Sequence, residues 1–380
     1  MKVVFISSML PSGHFSQILT HGLQQQKKIE LIVYADSDKR NLSIRGCGTI
    51  KTVWSRTAFF IYKILREIIK DRPDAVHIQQ EFNMYGSVKT AILFPFLVLA
   101  LRLLGLRVVV TIHAAVFRKQ VNKSFISLFT AKQSQIITPL TLRLFFNYIY
   151  RSVSLFSNEI ICHTELMRTM LVEDWGVDHK KISVIPTGIP TKRRYKGKTE
   201  PYFLYLGYMV RRNGLPYVLS GFASFVKTHP KYKLVLAGGI IKGQEYAFEE
   251  IKEYIRKKQI ENNVVIRGFV EQKEQDELYK KAYAVVIPAK VSMGSSGRLY
   301  HAQSFGKCIL TSKVGHFKED ISHMKDGILV NNSKWAVAFQ LIASNPELVR
   351  EIEQNVWNRA HEKSAYQIAK RHIEVYKNSQ

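Results

Sequence analysis

The chain has 380 residues, enough for two domains, and its 46% hydrophobic and 23% charged content excludes a disordered or fibrous protein. A formal net charge of +26 calls for something anionic: nucleic acid, an anionic membrane or a phosphate-rich ligand. Cys47, Cys162 and Cys308 lie far apart with no CxxC or Cys/His cluster, so neither a disulfide framework nor a zinc site is expected, and a reducing compartment is.

The N-terminal MKVVFISSMLP carries Ser7, Ser8 and Ser12 too early for a signal peptide and reads as a buried strand followed by a loop. Helix-like HFSQILTHGLQQQ follows, then strand LIVYA, a basic amphipathic helix TAFFIYKILREIIKD, and strand AVHIQ. The apolar helix AILFPFLVLALRLLG precedes strand VVVTIH, and EIICH and ISVIP complete the first half. Short apolar strands alternating with helices predict a doubly wound parallel sheet. After PTGIPTKRRYKGKTEPY, a linker by its Pro, Gly and Lys content, the pattern restarts with FLYLG, KLVLAGG, NVVIRGF, AVVIPA, CILTS and GILV. The last segment, VWNRAHEKSAYQIAKRHIEVYK, reads as one long amphipathic helix, with Trp357 and Tyr366 as core anchors. Two such sheets form a cleft at the carboxyl ends of their strands, where ligands bind.

Phe82 to Asn158 contains no Asp or Glu but nine bases, among them Lys89, Arg102, Arg143 and Arg151. Apolar and aromatic runs lie between these bases, as an interfacial surface on an anionic membrane requires. Two core helices with snorkelling bases are the alternative. Pro95 and Arg102 in one run, and Arg143, Asn147 and Arg151 in the other, argue against a span, which needs roughly 20 nearly uncharged residues. Residues 89–151 therefore suggest peripheral attachment to the inner face of the cell membrane. Charge-driven nucleic-acid binding is not specific here, since no RRM, KH, helix-turn-helix or zinc-finger pattern is present. A P-loop is excluded, and no GxGxxG follows a strand.

Several segments, in order along the chain, resemble a family 4 glycosyltransferase of the GT-B architecture. They are PDAVHIQQEFNMYG, VVVTIHA, CHTELMRTMLVEDWGVDHKKISVIPTGIP, FLYLGYMVRRNGLPYVLSGF, NVVIRGFVEQKEQDELYKKAYAVVIPA and SFGKCILTSKVGHFKEDI. The resemblance implies an α/β fold of two Rossmann-like domains facing a cleft. An acceptor domain would span 1–192 and a nucleotide-sugar donor domain 200–357, with helix 358–380 packing back on the first. It also implies retaining, metal-independent glycosyl transfer, with a UDP- or GDP-linked sugar as substrate and no cofactor. The acceptor would be lipid-linked, a glycan or another hydroxyl compound, and a homo- or hetero-oligomer is open.

The pattern departs from the family in two places. Met293 and His301 stand where two glutamates eight positions apart are usual, and Tyr208 and Asn213 stand where an Arg and a Lys are usual. MGSSGRLYHA is similar to a Ser-Gly variant of the helix start. A catalytically silent GT-B subunit partnering an active enzyme is the other reading of these losses.

The pyrophosphate of a donor needs hydrogen-bond donors and positive charge. A helix start at Gly294, Ser295, Ser296 and Gly297 supplies unpaired N–H groups, while Arg211, Arg212 or Arg298 supply guanidinium forks. An ordinary capped helix is the competing reading of that stretch. His301 has the donor and acceptor needed for ribose hydroxyls, or is a half-buried structural histidine. The resemblance places the base against backbone around Phe269 and Val270. In the first half, Gly13 allows close backbone approach, His113 ends a strand at the cleft within reach of the sugar, and Glu81 is placed to orient or deprotonate an acceptor hydroxyl. Loop-stabilising hydrogen bonds are the alternative for His113 and Glu81.

Overall fold

The computed structural model describes residues 1–9, 14–37, 49–82, 84–130, 137–190, 192, 195 and 197–377. Gly13 and part of the linker lie outside these.

In the first half, the strands are β1 (Lys2–Ile6), β2 (Glu30–Asp36), β3 (Thr49–Trp54), β4 (Ala75–Gln80), β5 (Arg107–Ile112), β6 (Glu159–Cys162) and β7 (Ile182–Val184). The helices are α1 (His14–Gln24), α2 (Phe60–Asp71), α3 (Val88–Leu103), α4 (Lys123–Ser127), α5 (Pro139–Phe156) and α6 (Glu165–Thr169). The seven strands form one sheet in the order β3-β2-β1-β4-β5-β6-β7, with every pairing parallel.

In the second half, β8 (Tyr202–Leu206), β9 (Lys233–Ala237), β10 (Val264–Gly268), β11 (Ala284–Ile287), β12 (Ile309–Ser312) and β13 (Ile328–Val330) make a sheet in the order β10-β9-β8-β11-β12-β13, again parallel. Its helices are α7 (Leu215–Phe225), α8 (Glu245–Lys257), α9 (Gln272–Lys281), α10 (Gly297–Ser304), α11 (Phe317–Asp320), α12 (Trp335–Ser344), α13 (Pro346–Glu362) and α14 (Ala365–Lys377). The two parallel-sheet, Rossmann-like units are the expected GT-B arrangement.

Local chemistry fixes the element ends. The Thr138 hydroxyl accepts the Thr141 N–H at 3.1 Å and Pro139 opens α5, so the helix starts with its first donors answered. Arg72 closes α2 in the left-handed conformation at φ 46°, just before Pro73, which cannot continue a helix. Strands β4 and β11 are buried at every position, as sheets covered on both faces require.

One face of the first sheet is covered by α2, α3 and α5, which share a core with Val4, Val76 and Val110. The other is covered by α1 and α14, whose Ile368, Ala369 and Tyr376 pack with Val3 and Phe5. The C-terminal segment is two helices, of which only α14 packs on the first half, while α13 stays with the second-half core. The expected single helix breaks at Lys363–Ser364, where Ile189 N–H donates to Lys363 O. Trp357 belongs to α13, packed against Gly306 of the second half, and Tyr366 is 39% exposed, so neither anchors the first core. Ile368, Ala369 and Ile373 of α14 fill that core instead. Among the described residues, no helix is long and apolar enough to cross a membrane.

Candidate active site between the two sheets

A cavity of about 520 Å³ lies between the carboxyl ends of the two sheets. Its walls differ in chemistry. The second half contributes Arg212, Asn213, Ser292, Ser295, Ser296 and Arg298. The first half contributes an apolar wall of Phe82, Phe125, Phe129, Leu142, Phe145 and Phe146. Glu81 and His113, past the ends of β4 and β5, stand on the first-half side.

The polar wall centres on Arg298, the second residue of α10. Its guanidinium lies 5.6 Å from the Tyr205 ring centroid and donates at 3.4 Å to Asn213 Oδ1 and to Pro288 O, while Nη1 is buried without a partner. Asn213 is held in turn by donating to Tyr208 O at 2.7 Å and to the Tyr205 hydroxyl at 3.1 Å. Arg212 packs over the Phe129 ring at 5.5 Å, joining the two walls. Burial and the neighbouring Arg298 push the Arg212 pKa below its ordinary value, partly offset by Tyr205 and Glu81. Neither guanidinium forms an ion pair among the described residues. Two guanidiniums held close, with Glu81 as a nearby carboxylate but no ion pair, leave an excess of positive charge suited to an anion. Ser296 is the N-cap of α10 but its side chain makes no capping bond, so its hydroxyl and the first N–H groups of the helix remain available.

On the first-half side, His113 is part of a buried polar chain. His113 Nε2 is 2.6 Å from the Gln79 side-chain amide, and His113 Nδ1 is 3.2 Å from His163 Nε2. His163 Nδ1 is 3.0 Å from Ile185 O. At the other end, Gln79 is 3.0 Å from His77 Nε2, and His77 Nδ1 is 2.7 Å from the Tyr376 hydroxyl. A carbonyl only accepts, so His163 Nδ1–H donates to Ile185 and His113 Nδ1–H donates to His163. His113 Nε2 is then an acceptor, so the Gln79 amide, placed with Oε1 2.6 Å from it, is assigned the flipped orientation with its nitrogen toward His113. Its oxygen accepts from His77 Nε2–H, and His77 Nδ1 accepts from Tyr376. This assignment leaves all three imidazoles neutral. Burial favours that state, holding His113 and His77 well below the usual histidine value and His163 at about 4.

The halves meet tightly beside the cavity. Ala115 N–H donates to Met293 O at 2.7 Å, and a Cβ on Gly294 would overlap the carbonyl oxygen of His113. The Glu319 carboxylate accepts from the Glu165 and Leu166 N–H groups at 2.9 and 2.6 Å, placing an anion at the start of α6. His316 Nδ1 lies 2.7 Å from the Thr164 hydroxyl. Phe15 wedges between the His113 ring, at 5.5 Å, and the Tyr300 ring, at 6.1 Å.

Of the residues singled out in the sequence, Glu81, His113, Arg212, Gly294, Ser295, Ser296 and Arg298 line this one cavity. Arg211 does not: it is ion-paired with Glu250 and stacks on Tyr246 at 4.4 Å. His301 stacks on Tyr279 and lies off the cavity lining, as does Gly297, where an added Cβ would make only ordinary contact with the Phe15 ring. Val270 is a core residue whose carbonyl accepts from Gln275, while Phe269 is 79% exposed beside Tyr208 and Gly239. Gly294 is a glycine because the other half presses on it. His113 has both ring nitrogens engaged. Gly13 lies outside the described residues. Sequence reasoning missed Gln79, His163, Asn213 as a partner of Arg298, and the apolar wall, for which the Phe spacing in FISLF and LRLFF was the available signal.

Comparison with known proteins bears on the family and the fold. Glycosyltransferase Family 4 matches residues 12–193, and Glycosyl transferases group 1 matches residues 190–359. Mannosylfructose-phosphate synthase of Agrobacterium fabrum is 23% identical over 158 residues, 37% of this chain and 34% of that protein, so the chain spans about a third of that relative's length. The structure of Anabaena Alr3699/HepE in complex with UDP and glucose superposes with a TM-score of 0.76 at 13% identity, covering 100% of both chains. Sucrose-phosphate synthase from Thermosynechococcus elongatus superposes with a TM-score of 0.74 at 15% identity, covering 99% of this chain and 98% of that one. The matched segments together run from residue 12 to 359 and the fold agrees over the full length: the chain belongs to the family 4-like glycosyltransferases of GT-B architecture.

Proposed function

We propose that the chain transfers a sugar, with retention, from a UDP-linked donor to a hydroxyl of an acceptor that carries an apolar portion. The observation that carries this reading is the division of one cavity: two guanidiniums without ion pairs on one wall, a phenylalanine-rich surface on the other, and one carboxylate between them. In this reading Arg298, Arg212, Ser296 and the first N–H groups of α10 hold the diphosphate and stabilise it as the leaving group. Such preorganised donors supply the main electrostatic contribution to group transfer and take the place of a metal. UDP is favoured by the relative solved with UDP and glucose. The exposed rings of Phe269 and Tyr208 beside Gly239 offer a stacking surface for the base.

Glu81 orients the acceptor hydroxyl and takes its proton. His113 acts through position: its two nitrogens are committed, and its carbonyl abuts Gly294, so it fixes the contact between the halves. Closure there keeps water from the donor. The test is nucleotide release from UDP- and GDP-sugars, with alkyl glycosides or free sugars offered as acceptors. UDP release that depends on the alkyl glycoside is expected. No release with any donor would overturn the reading.

Met293 and His301, where related chains carry glutamates, favour a second reading: a silent GT-B subunit supporting an active glycosyltransferase. It requires that calorimetry detect no UDP binding and that an active transferase co-purify.

A further inference from the structure

We propose that the face formed by α2, α3 and α5 lies on an anionic phospholipid bilayer. These helices cover one side of the first sheet and are themselves uncovered. Eleven of the nineteen large apolar residues exposed among those described fall within residues 59–155, about a quarter of the chain. Phe59 and Tyr62 stand out from α2, Phe96 and Leu103 from α3, and Leu140 and Leu144 from α5, each more than half exposed. The inner sides of the same helices are core, with Ile64, Leu97 and Ile149 essentially buried. The inner sides of these helices are therefore core, and their outer sides leave apolar side chains exposed. The remaining exposed apolar residues are scattered over the second half and the C-terminal helix, at positions such as Val265, Val337 and Tyr366.

Charge selects the occupant. No acid lies between Phe82 and Asn158; α3 carries Lys89 and Arg102, α5 carries Arg143 and Arg151, and α2 adds Lys63, Arg66 and Lys70 against Glu67 and Asp71, so the three helices together carry an excess of positive charge. A second copy of this face would meet like charge. A nucleic acid would meet the bases but leave the aliphatic side chains without partners. An anionic bilayer answers both, taking the apolar side chains into the headgroup boundary and the bases among the lipid charges.

The placement also serves the site. The first two turns of α5 carry Leu142, Phe145 and Phe146 on the cavity wall and Leu140 and Leu144 on the outer face. An acceptor anchored in the bilayer by an apolar chain would reach the apolar wall without leaving the lipid boundary; this last step rests on the proposed transfer, while the docking does not.

The experiment is flotation of the full-length protein with bare vesicles of phosphatidylcholine, with and without phosphatidylglycerol. Binding to the anionic vesicles at least about tenfold above the neutral ones, weakening with salt, is expected. The exposed pair Leu140→Asp/Leu144→Asp should lower that binding about tenfold or more while UDP affinity stays unchanged, and Val337→Asp, on the other half, should leave it intact. No flotation, equal binding to neutral vesicles, or a double variant that binds like wild type would overturn the proposal. Donor turnover without vesicles is read separately. Turnover without docking removes the bilayer alone, and docking without turnover removes the transfer alone.

Discussion

The two halves of this protein repeat one architecture, yet they bring opposite chemistry to the same cavity. The second half offers cations and helix N–H groups at the ends of its strands. The first offers phenylalanines and a chain of neutral histidines. A parallel sheet dictates where a site lies, at the strand ends, but not what it binds. The loops decide that, and here they give one wall cations and the other phenylalanines, which in the proposed transfer would hold a diphosphate and a less polar group.

The sharpest way to break this division is Arg298→Ala. Loss of a charged donor to phosphate costs about 3 kcal/mol, so UDP affinity measured by calorimetry should fall about 100-fold. Arg298→Lys keeps the charge but not the fork and should recover only part of it. Unchanged affinity in Arg298→Ala would mean that the polar wall is not the donor site.

Acid should separate the halves next. His163 and His372, in the first half's core, and His316 at the junction have folded pKa values of about 4, against an ordinary 6.5. Burial depresses them, so the stability they contribute is full above pH 6.5 and lost as pH falls toward 4. By pH 5 each costs about 2 kcal/mol. Asp320, buried in the second half, runs the other way. Burial raises it to about 6, so the fold gains from its protonation as pH falls from 6 toward 4. Melting curves at pH 7 and pH 5 should show a net loss of stability at pH 5. Asp320→Asn should raise the melting temperature at pH 7.5 and have little effect at pH 4. A protein whose stability is flat from pH 7 to 5 would contradict the neutral histidine chain.

Truncating the apolar wall tests the other half. Phe145→Ala should lower transfer to an alkyl glycoside about tenfold, the worth of one partly buried aromatic contact, while UDP affinity stays within about twofold. If transfer to a free sugar falls equally, the wall is not reading an apolar group.

How much of this was legible in the sequence follows from burial. Twelve of the thirteen strands among the described residues were readable as apolar runs. The exception is β3, TIKTVW, an edge strand in which Trp54 alone is fully buried and Lys51 reaches out to Asp71. A strand that covers little carries no apolar run to see. The loops past the strand ends also pointed to the right place, because topology puts them there. What could not be read was the direction each side chain takes. Arg211 and Arg212 are adjacent in sequence, yet Glu250 draws one outward and Phe129 holds the other over the cavity. The histidine chain was hidden for a similar reason. Its members come from four separate segments, and nothing local marks His77 or His163 as neighbours of His113. The C-terminal break at Ser364 was missed because the amphipathic pattern runs through it, while the turn answers to Ile189 of the linker.

The smallest expected effect bears on what the departures from the family mean. Asn213 stands where the family resemblance leads one to expect a Lys, and Asn213→Lys would supply a cation. If the site were a decayed one that merely lacks charge, UDP affinity or turnover should rise about tenfold, the worth of one charge-assisted hydrogen bond. The geometry predicts otherwise. Asn213 Oδ1 accepts from Arg298, and its amide donates to Tyr208 and Tyr205. A lysine keeps no acceptor for Arg298 and sets a third cation beside two that already repel. The unliganded variant should therefore lose about 1 kcal/mol of stability, and its UDP affinity should change by less than about threefold with a steeper dependence on salt. That pattern would show that Asn213 and Arg298 form a working pair, in which an aimed guanidinium replaces the lysine.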